Sequence, residues 1–154
     1  MIHPKHDLGF LLHDVARLMR KRFERHARAL GLTRAQCQVL AYLARHDGTP
    51  QGTLADILEM EPITLTRLVD RLEKSGLVER RPHPADRRVR VLWLADAGYP
   101  KLAGIAAVGA ATRREAMQGL DQEEHDLLFA ILSVMRANLA GKPPAAGPDG
   151  LVRG

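Results

Sequence analysis

The hydrophobic period of this chain changes twice, and few folds accommodate both changes. Up to Gly76, apolar residues recur at three- and four-residue steps. Val89, Val91 and Trp93 then interleave with Arg90, Leu92 and Leu94, and beyond Asp96 the helical spacing returns. A period of about 3.6 residues marks an amphipathic helix, and strict alternation in a β-branched and aromatic run marks a strand. The sequence therefore predicts a mainly α fold interrupted by one small β-hairpin. Residues 77–81 form its outgoing strand, and PHPADR its turn, because two prolines and Asp86 disfavour both helix and regular strand.

Local stop and start signals divide the rest into six helices. Leu8, Leu11, Leu12, Val15, Leu18 and Met19 lie on one face of a first helix spanning residues 7–30. Gly31 suits the left-handed position that ends a helix, Leu32 can pack back, and Thr33 can cap a second helix carrying Cys37, Val39, Leu40 and Leu43. That helix ends near Asp47 and Gly48. Thr49 and Pro50 have the order of an N-cap and first helical residue, opening a short third helix, TLADILEM. Pro62 opens a fourth that runs to Ser75. Asp96 is the expected cap of an alanine-rich fifth helix ended by Gly119, and Asp121 with Glu124 has capping-box spacing for a sixth that reaches about Leu139. The final stretch, GKPPAAGPDGLVRG, is too rich in Pro and Gly to pack and is expected to form a flexible tail. The short third and fourth helices, only a few residues apart, have the form of a helix-turn-helix.

Composition narrows the function. A chain of 154 residues with 45% hydrophobic content suffices for one core, and a net charge of +5 favours polyanionic partners. No apolar run approaches the ~20 residues that span a bilayer, and no secretory leader is evident, so no membrane role and a cytoplasmic location are expected. The single cysteine, Cys37, excludes an intrachain disulfide. HExxH, G-x-S-x-G and phosphate-cradling glycine motifs are missing, which argues against an enzyme and against a cofactor. His3, His6 and His13 lack a ligand set for metal, and the acidic DQEEHD suits a helix start.

The fourth helix and the hairpin carry the chemistry. At about 100° per residue, Leu65, Leu68, Val69 and Leu72 share one side. Ile63, Arg67, Asp70 and Lys74 lie opposite, flanked by Thr64, Thr66 and Arg71. Arginine can read guanine edges in bidentate fashion, threonine can bond bases or phosphates, and Ile63 can meet a thymine methyl. Asp70 would be repelled by phosphate, so it is expected to orient Arg67 or Lys74 or to lie beyond the groove. The hairpin adds Arg80, Arg81, His83, Arg87, Arg88 and Arg90 against Glu79 and Asp86 alone. Such crowding of cations is relieved by a polyanion, and a basic hairpin can enter a minor groove beside the major groove that holds the helix. The expected DNA contacts are Ile63, Thr64, Thr66, Arg67, Arg71, Lys74, Arg81, Arg87, Arg88 and Arg90.

Residues 64–98, TLTRLVDRLEKSGLVERRPHPADRRVRVLWLADAG, resemble the recognition helix and wing of MarR-type regulators, including the Asp86, Arg87, Arg88 wing tip and the glycine after the strand. The order of elements agrees over residues 7–139, whereas Ala95 stands where the family usually has threonine. The resemblance implies a winged helix-turn-helix that dimerises through its N- and C-terminal helices. Residues 1–32 and 96–139 would form the dimerisation helices, residues 33–95 the DNA-binding lobe, and residues 140–154 the tail. It further implies a homodimer on double-stranded DNA with a pseudo-palindromic operator, and repression released by a small organic anion such as an aromatic acid or its thioester. An effector crevice between the first, second and fifth helices would involve Arg17, Cys37 and Tyr42. Two other readings stay open: an oxidant-responsive regulator working through Cys37, and an architectural DNA-binding protein without an effector.

Overall fold

The computed structural model describes residues 7–141. His3, His6 and the expected tail from residue 142 onward lie outside them. The chain divides into two units, one ending at Ala116 and the other beginning at Met117.

In the first unit, α1 (Leu8–Ala27) begins where the Asp7 carboxylate accepts the N–H groups of Gly9 and Phe10 at 2.8 and 3.3 Å. A short 3-10 turn, Arg28–Leu30, follows and closes on Gly31 at φ 68°. Thr33 opens α2 (Arg34–Arg45) with a full capping box: its hydroxyl accepts from the N–H of Gln36 at 3.2 Å, and the side-chain Oε1 of Gln36 accepts from the N–H of Thr33 at 2.9 Å. Each such cap satisfies amides that would otherwise be orphaned, worth about 1 kcal/mol.

The next segment departs from expectation. Thr49 and Pro50 do not start a helix but form a short strand, β1 (Thr49–Pro50), because the Thr49 hydroxyl donates to the carbonyl of His46 at 2.7 Å instead of capping. Proline, having no N–H, is acceptable on such an edge. The helix begins one residue later, as α3 (Gln51–Ile57), with no side-chain cap. Two strands follow α4 (Pro62–Lys74): β2 (Val78–Pro82) and β3 (Arg90–Leu94). The sheet is thus three-stranded, in the order β1-β3-β2, with Thr49 opposite Leu92 and Arg80 also opposite Leu92. Gly48 is required at its entry. Its φ is +75°, and a Cβ there would stand 2.9 Å from Cζ2 of Trp93.

Between α3 and α4 the chain closes in a Schellman arrangement, with the N–H of Met60 bonded to the Ala55 carbonyl and that of Glu59 to the Asp56 carbonyl. Glu59 occupies the left-handed position at φ 51°, usually left to glycine. After β3 the expected Asp96 cap is also corrected. Ala95 takes the cap position without a side-chain bond, residues Asp96–Gly98 form a 3-10 turn, and α5 (Tyr99–Ala116) starts after it.

One core joins these elements. Leu40, Leu43, Leu54, Leu65 and Leu92 are fully buried in it, each worth about 1.5–3 kcal/mol of transfer free energy. At its edge, Glu115 of α5 accepts from Arg22 Nη1 at 2.8 Å and lies 2.6 Å from Nε2 of His26, fastening α1 to α5. The second unit holds α6 (Gln122–Leu139), opened by the Asp121 and Glu124 capping box, and none of its residues is buried. No described helix is long and apolar enough to cross a membrane.

Candidate nucleic-acid interface

Helix α4 turns Leu65, Val69 and Leu72 into the core, with Leu68 partly buried beside them. That leaves Ile63, Thr64, Arg67, Arg71 and Lys74 exposed, and Ile63 is 62% accessible, high for an isoleucine. Among the described residues none of these three cations takes part in an ion pair. Thr66 is placed differently from its neighbours. Its half-buried hydroxyl donates to the carbonyl of Pro62 at 2.9 Å and accepts from Nε2 of Gln51 at 2.9 Å, so it faces α3.

Open grooves flank this helix. One, of about 460 Å³, is lined by Pro50, Gln51, Pro62, Thr66, Arg88 and Arg90 among others. A neighbouring groove of about 420 Å³ shares Gln51, Thr66 and Arg90 and adds Asp70, Glu73 and Arg80. On the other side, Arg67 and Arg71 meet Thr33 and Gln36 around a hollow of about 240 Å³.

Strands β2 and β3 build the wing, registered from Val78 opposite Leu94 to Pro82 opposite Arg90. Its tip is braced internally. The His83 N–H donates to the Val89 carbonyl at 2.9 Å, and the Val89 N–H to the Asp86 carbonyl at 3.0 Å. The Asp86 carboxylate accepts from the backbone N–H of Arg88 at 3.0 Å and from its guanidinium at 3.1 and 3.3 Å. These side-chain and backbone bonds hold the Asp86 carboxyl below the usual carboxylate range. The Asp86 carboxylate thus braces Arg88 at the wing tip while the Arg88 side chain stays 91% exposed. Arg87 and Arg90 are also exposed. Arg81 pairs with Glu79 at 2.7 Å and lies over the Trp93 ring, 4.9 Å from its centroid.

Two sequence expectations change here. Asp70 orients neither Arg67 nor Lys74; its carboxylate pairs with Arg80 from the wing. Arg80 in turn is not part of the exposed basic surface, for its side chain is only 15% accessible and is bonded to Gln51, Thr66, Asp70 and Glu73. The available signal was the unwelcome pair of carboxylates on the otherwise basic α4, which demanded a partner that helical spacing alone does not identify.

The effector candidates lie on α1 and α2. Arg17 on α1 is half-exposed and approaches Asp14 at 3.5 Å. Cys37 is buried within the core, and desolvation pushes its thiol up, against one backbone bond that lowers it. Tyr42 is half-buried and stacks on His46 at 4.5 Å between ring centroids. None of the three grooves described above is lined by any of them. Among the described residues no cluster of three or more His, Cys, Asp or Glu side chains is placed to hold a metal ion.

Comparison with known proteins agrees with this geometry. A model described as "MarR family" matches residues 30–89. Transcriptional regulator HosA of Escherichia coli O111:H- is 32% identical over 104 residues, covering 68% of this chain and 77% of that protein. The uncharacterized HTH-type transcriptional regulator YdgJ of Bacillus subtilis (strain 168) is 25% identical over 133 residues, covering 86% and 79%. Among solved structures, a mutant MarR from E. coli complexed with operator DNA superposes with a TM-score of 0.74 at 28% identity, over 83% of this chain and 92% of that one. Wild-type MarR from E. coli in its apo form gives 0.78 at 27% identity, over 88% and 98%.

Proposed function

This chain belongs to the MarR family of transcriptional regulators, and from that premise we propose that it is a sequence-specific DNA-binding repressor, not an enzyme, acting in the cytoplasm as a homodimer. The observation that carries the reading is the pairing, on one lobe, of an unpartnered α4 face with a basic wing. Ile63, Thr64, Arg67, Arg71 and Lys74 would meet the major groove, with Thr66 bracing α4 from behind through its bond to Gln51 of α3. Arg87, Arg88 and Arg90, with Arg81 on the strand, would hold the adjoining minor groove and phosphates. The similarity to an E. coli MarR complexed with operator DNA supports DNA binding.

Residues 33–95 would be the DNA-binding lobe and residues 1–32 and 96–139 the dimer helices. Supporting this, α1 exposes Leu8, Leu11, Val15 and Leu18, and α6 exposes Leu127, Ile131 and Val134. Apolar stripes of this kind call for a partner, and a second copy would present two lobes to a pseudo-palindromic operator. The repressor would be released by an aromatic acid or its thioester. Arg17, half-exposed beside Asp14 on α1, would be the cation for the acid group, with Tyr42 and Cys37 of α2 as the other candidate residues. Burial and a raised thiol pKa give an oxidant-sensing Cys37 no support.

Footprinting on DNA upstream of the protein's own coding sequence tests the proposal. A discrete inverted repeat, with half-site centres about 10 to 10.5 bp or a multiple of that apart, is expected. Uniform coverage would replace the regulator by an architectural protein, and no protection would refute DNA binding there altogether.

A further inference from the structure

Resting on the reading of α4 and the wing as the two DNA-contacting elements, we propose that Arg80 is a positioning residue that fixes their mutual angle and so sets sequence discrimination without touching DNA. It projects from β2 into the seam between α3 and α4. Its Nε donates to Oε1 of Gln51 at 3.1 Å, at the start of α3. Nη1 donates to the Asp70 carboxylate and, at 3.4 Å, to Oε1 of Glu73. Nη2 donates to the carbonyl of Thr66 at 3.1 Å, and the Arg80 backbone N–H to Oε2 of Glu73 at 3.1 Å. Gln51 closes the ring by donating to the Thr66 hydroxyl at 2.9 Å. One side chain thereby joins the wing to both helices.

The stripe it grips adjoins the reading face. Thr66, Asp70 and Glu73 follow one another at four- and three-residue steps, and Arg67, Arg71 and Lys74 form the same pattern one residue on, rotated by about 100°. A turn of α4 about its axis that breaks the clasp therefore swings the reading face with it. Base contacts tolerate about 10–20° of such error. Arg80 is also unsuited to binding phosphate. Its charge already faces two carboxylates, so DNA would gain no counterion release from it, whereas the exposed cations of the wing tip provide that gain. The planar fork matters as well, since three nitrogens are directed to separate acceptors and a lysine ammonium cannot reproduce that geometry.

The test uses the full chain. Duplexes are selected by the wild-type protein from a randomised pool, and binding to the best duplex and to a scrambled one is titrated over a salt series. Two variants are compared: Gln51→Ala, which removes one arm of the clasp, and the charge-conserving pair Arg80→Gln with Asp70→Asn. The selected duplex should lose roughly tenfold or more in affinity, the worth of one bidentate base contact. Affinity for scrambled DNA, the salt slope and the helix content by circular dichroism should hold, and Arg80→Lys should not restore discrimination. A slope reduced by about 0.9 in the charge-conserving pair would make Arg80 a phosphate contact and overturn the proposal. Undiminished discrimination would overturn it equally, and Gln51→Ala decides if the paired variant does not fold. A wild-type protein that prefers no duplex would refute the DNA reading itself, a result distinct from failure of the clasp.

Discussion

Replacing both Arg87 and Arg88 by alanine should uncouple the wing from DNA in a way that salt reveals. Both side chains stand on the exposed tip, Arg88 at 91% accessibility, so neither supports the core and the fold should survive their loss. Each cation that neutralises a phosphate contributes about 0.9 to the slope of log affinity against log salt, so the double variant should have a slope shallower by about 1.8. Over a roughly fourfold rise in salt, wild-type affinity should then fall about twelvefold more than that of the variant. Losing the Arg88 guanidinium also leaves the Asp86 carboxylate without its cationic partner, with only the backbone N–H still donating to it, which would add repulsion toward phosphates at low salt. Adding Asp86→Asn separates that repulsion from the lost contacts. Fluorescence anisotropy with a labelled operator duplex across a salt series measures all three proteins. A double variant with wild-type slope would remove the wing tip from the interface.

Other substitutions test the fold and the chemistry around the site. Glu59→Gly should raise stability by about 0.5–1 kcal/mol, because relief of left-handed strain of about 1–2 kcal/mol outweighs the added freedom of the unfolded chain; an unchanged or lower Tm would contradict this. Cys37 should resist a thiol reagent in the native protein and react once denaturant is added, and peroxide should leave operator binding unaltered, whereas rapid native labelling would revive redox sensing. The depressed folded-state pKa of Asp86 means that its stabilising contribution is present at neutral pH and is lost as pH falls through that lowered pKa, below the ordinary value of about 3.9. Asp86→Asn should accordingly melt lower than wild type at neutral pH and converge with it in acid; a gap that stays constant with pH would show the ion pair to be inert.

Features encoded within a few residues of chain were legible from sequence. The Thr33 cap, the Asp121 and Glu124 box and the left-handed Gly31 all depend on local backbone geometry, and each lies where the pattern places it. The Asp7 cap and the part of Gln36 in the Thr33 box are equally local but were not among the sequence expectations. So does the apolar face of α4, since helical period alone sorts Leu65, Val69 and Leu72 inward. What escaped depends on distant partners. Thr49 and Pro50 have the composition of a helix start, and only the arrival of β3 makes them a strand. Arg80 and Arg81 are identical in sequence terms, yet the alternation of β2 sends one into a nest of carboxylates and the other over an indole ring. Counting arginines therefore overstated the exposed charge of the wing and missed the residue that holds it in place.

The indole ring has a use of its own. Trp93 is the chain's single tryptophan, and it sits in the wing, half-buried, with the Arg81 guanidinium above it and Gly48 at its edge. Indole emission from the unlabelled protein, excited beyond the tyrosine band, consequently comes from one known place in the wing. Any event that draws Arg81 toward a phosphate strips a cation from that ring and alters its brightness or colour, so the protein carries a built-in optical gauge of wing engagement that needs neither a dye nor a tag.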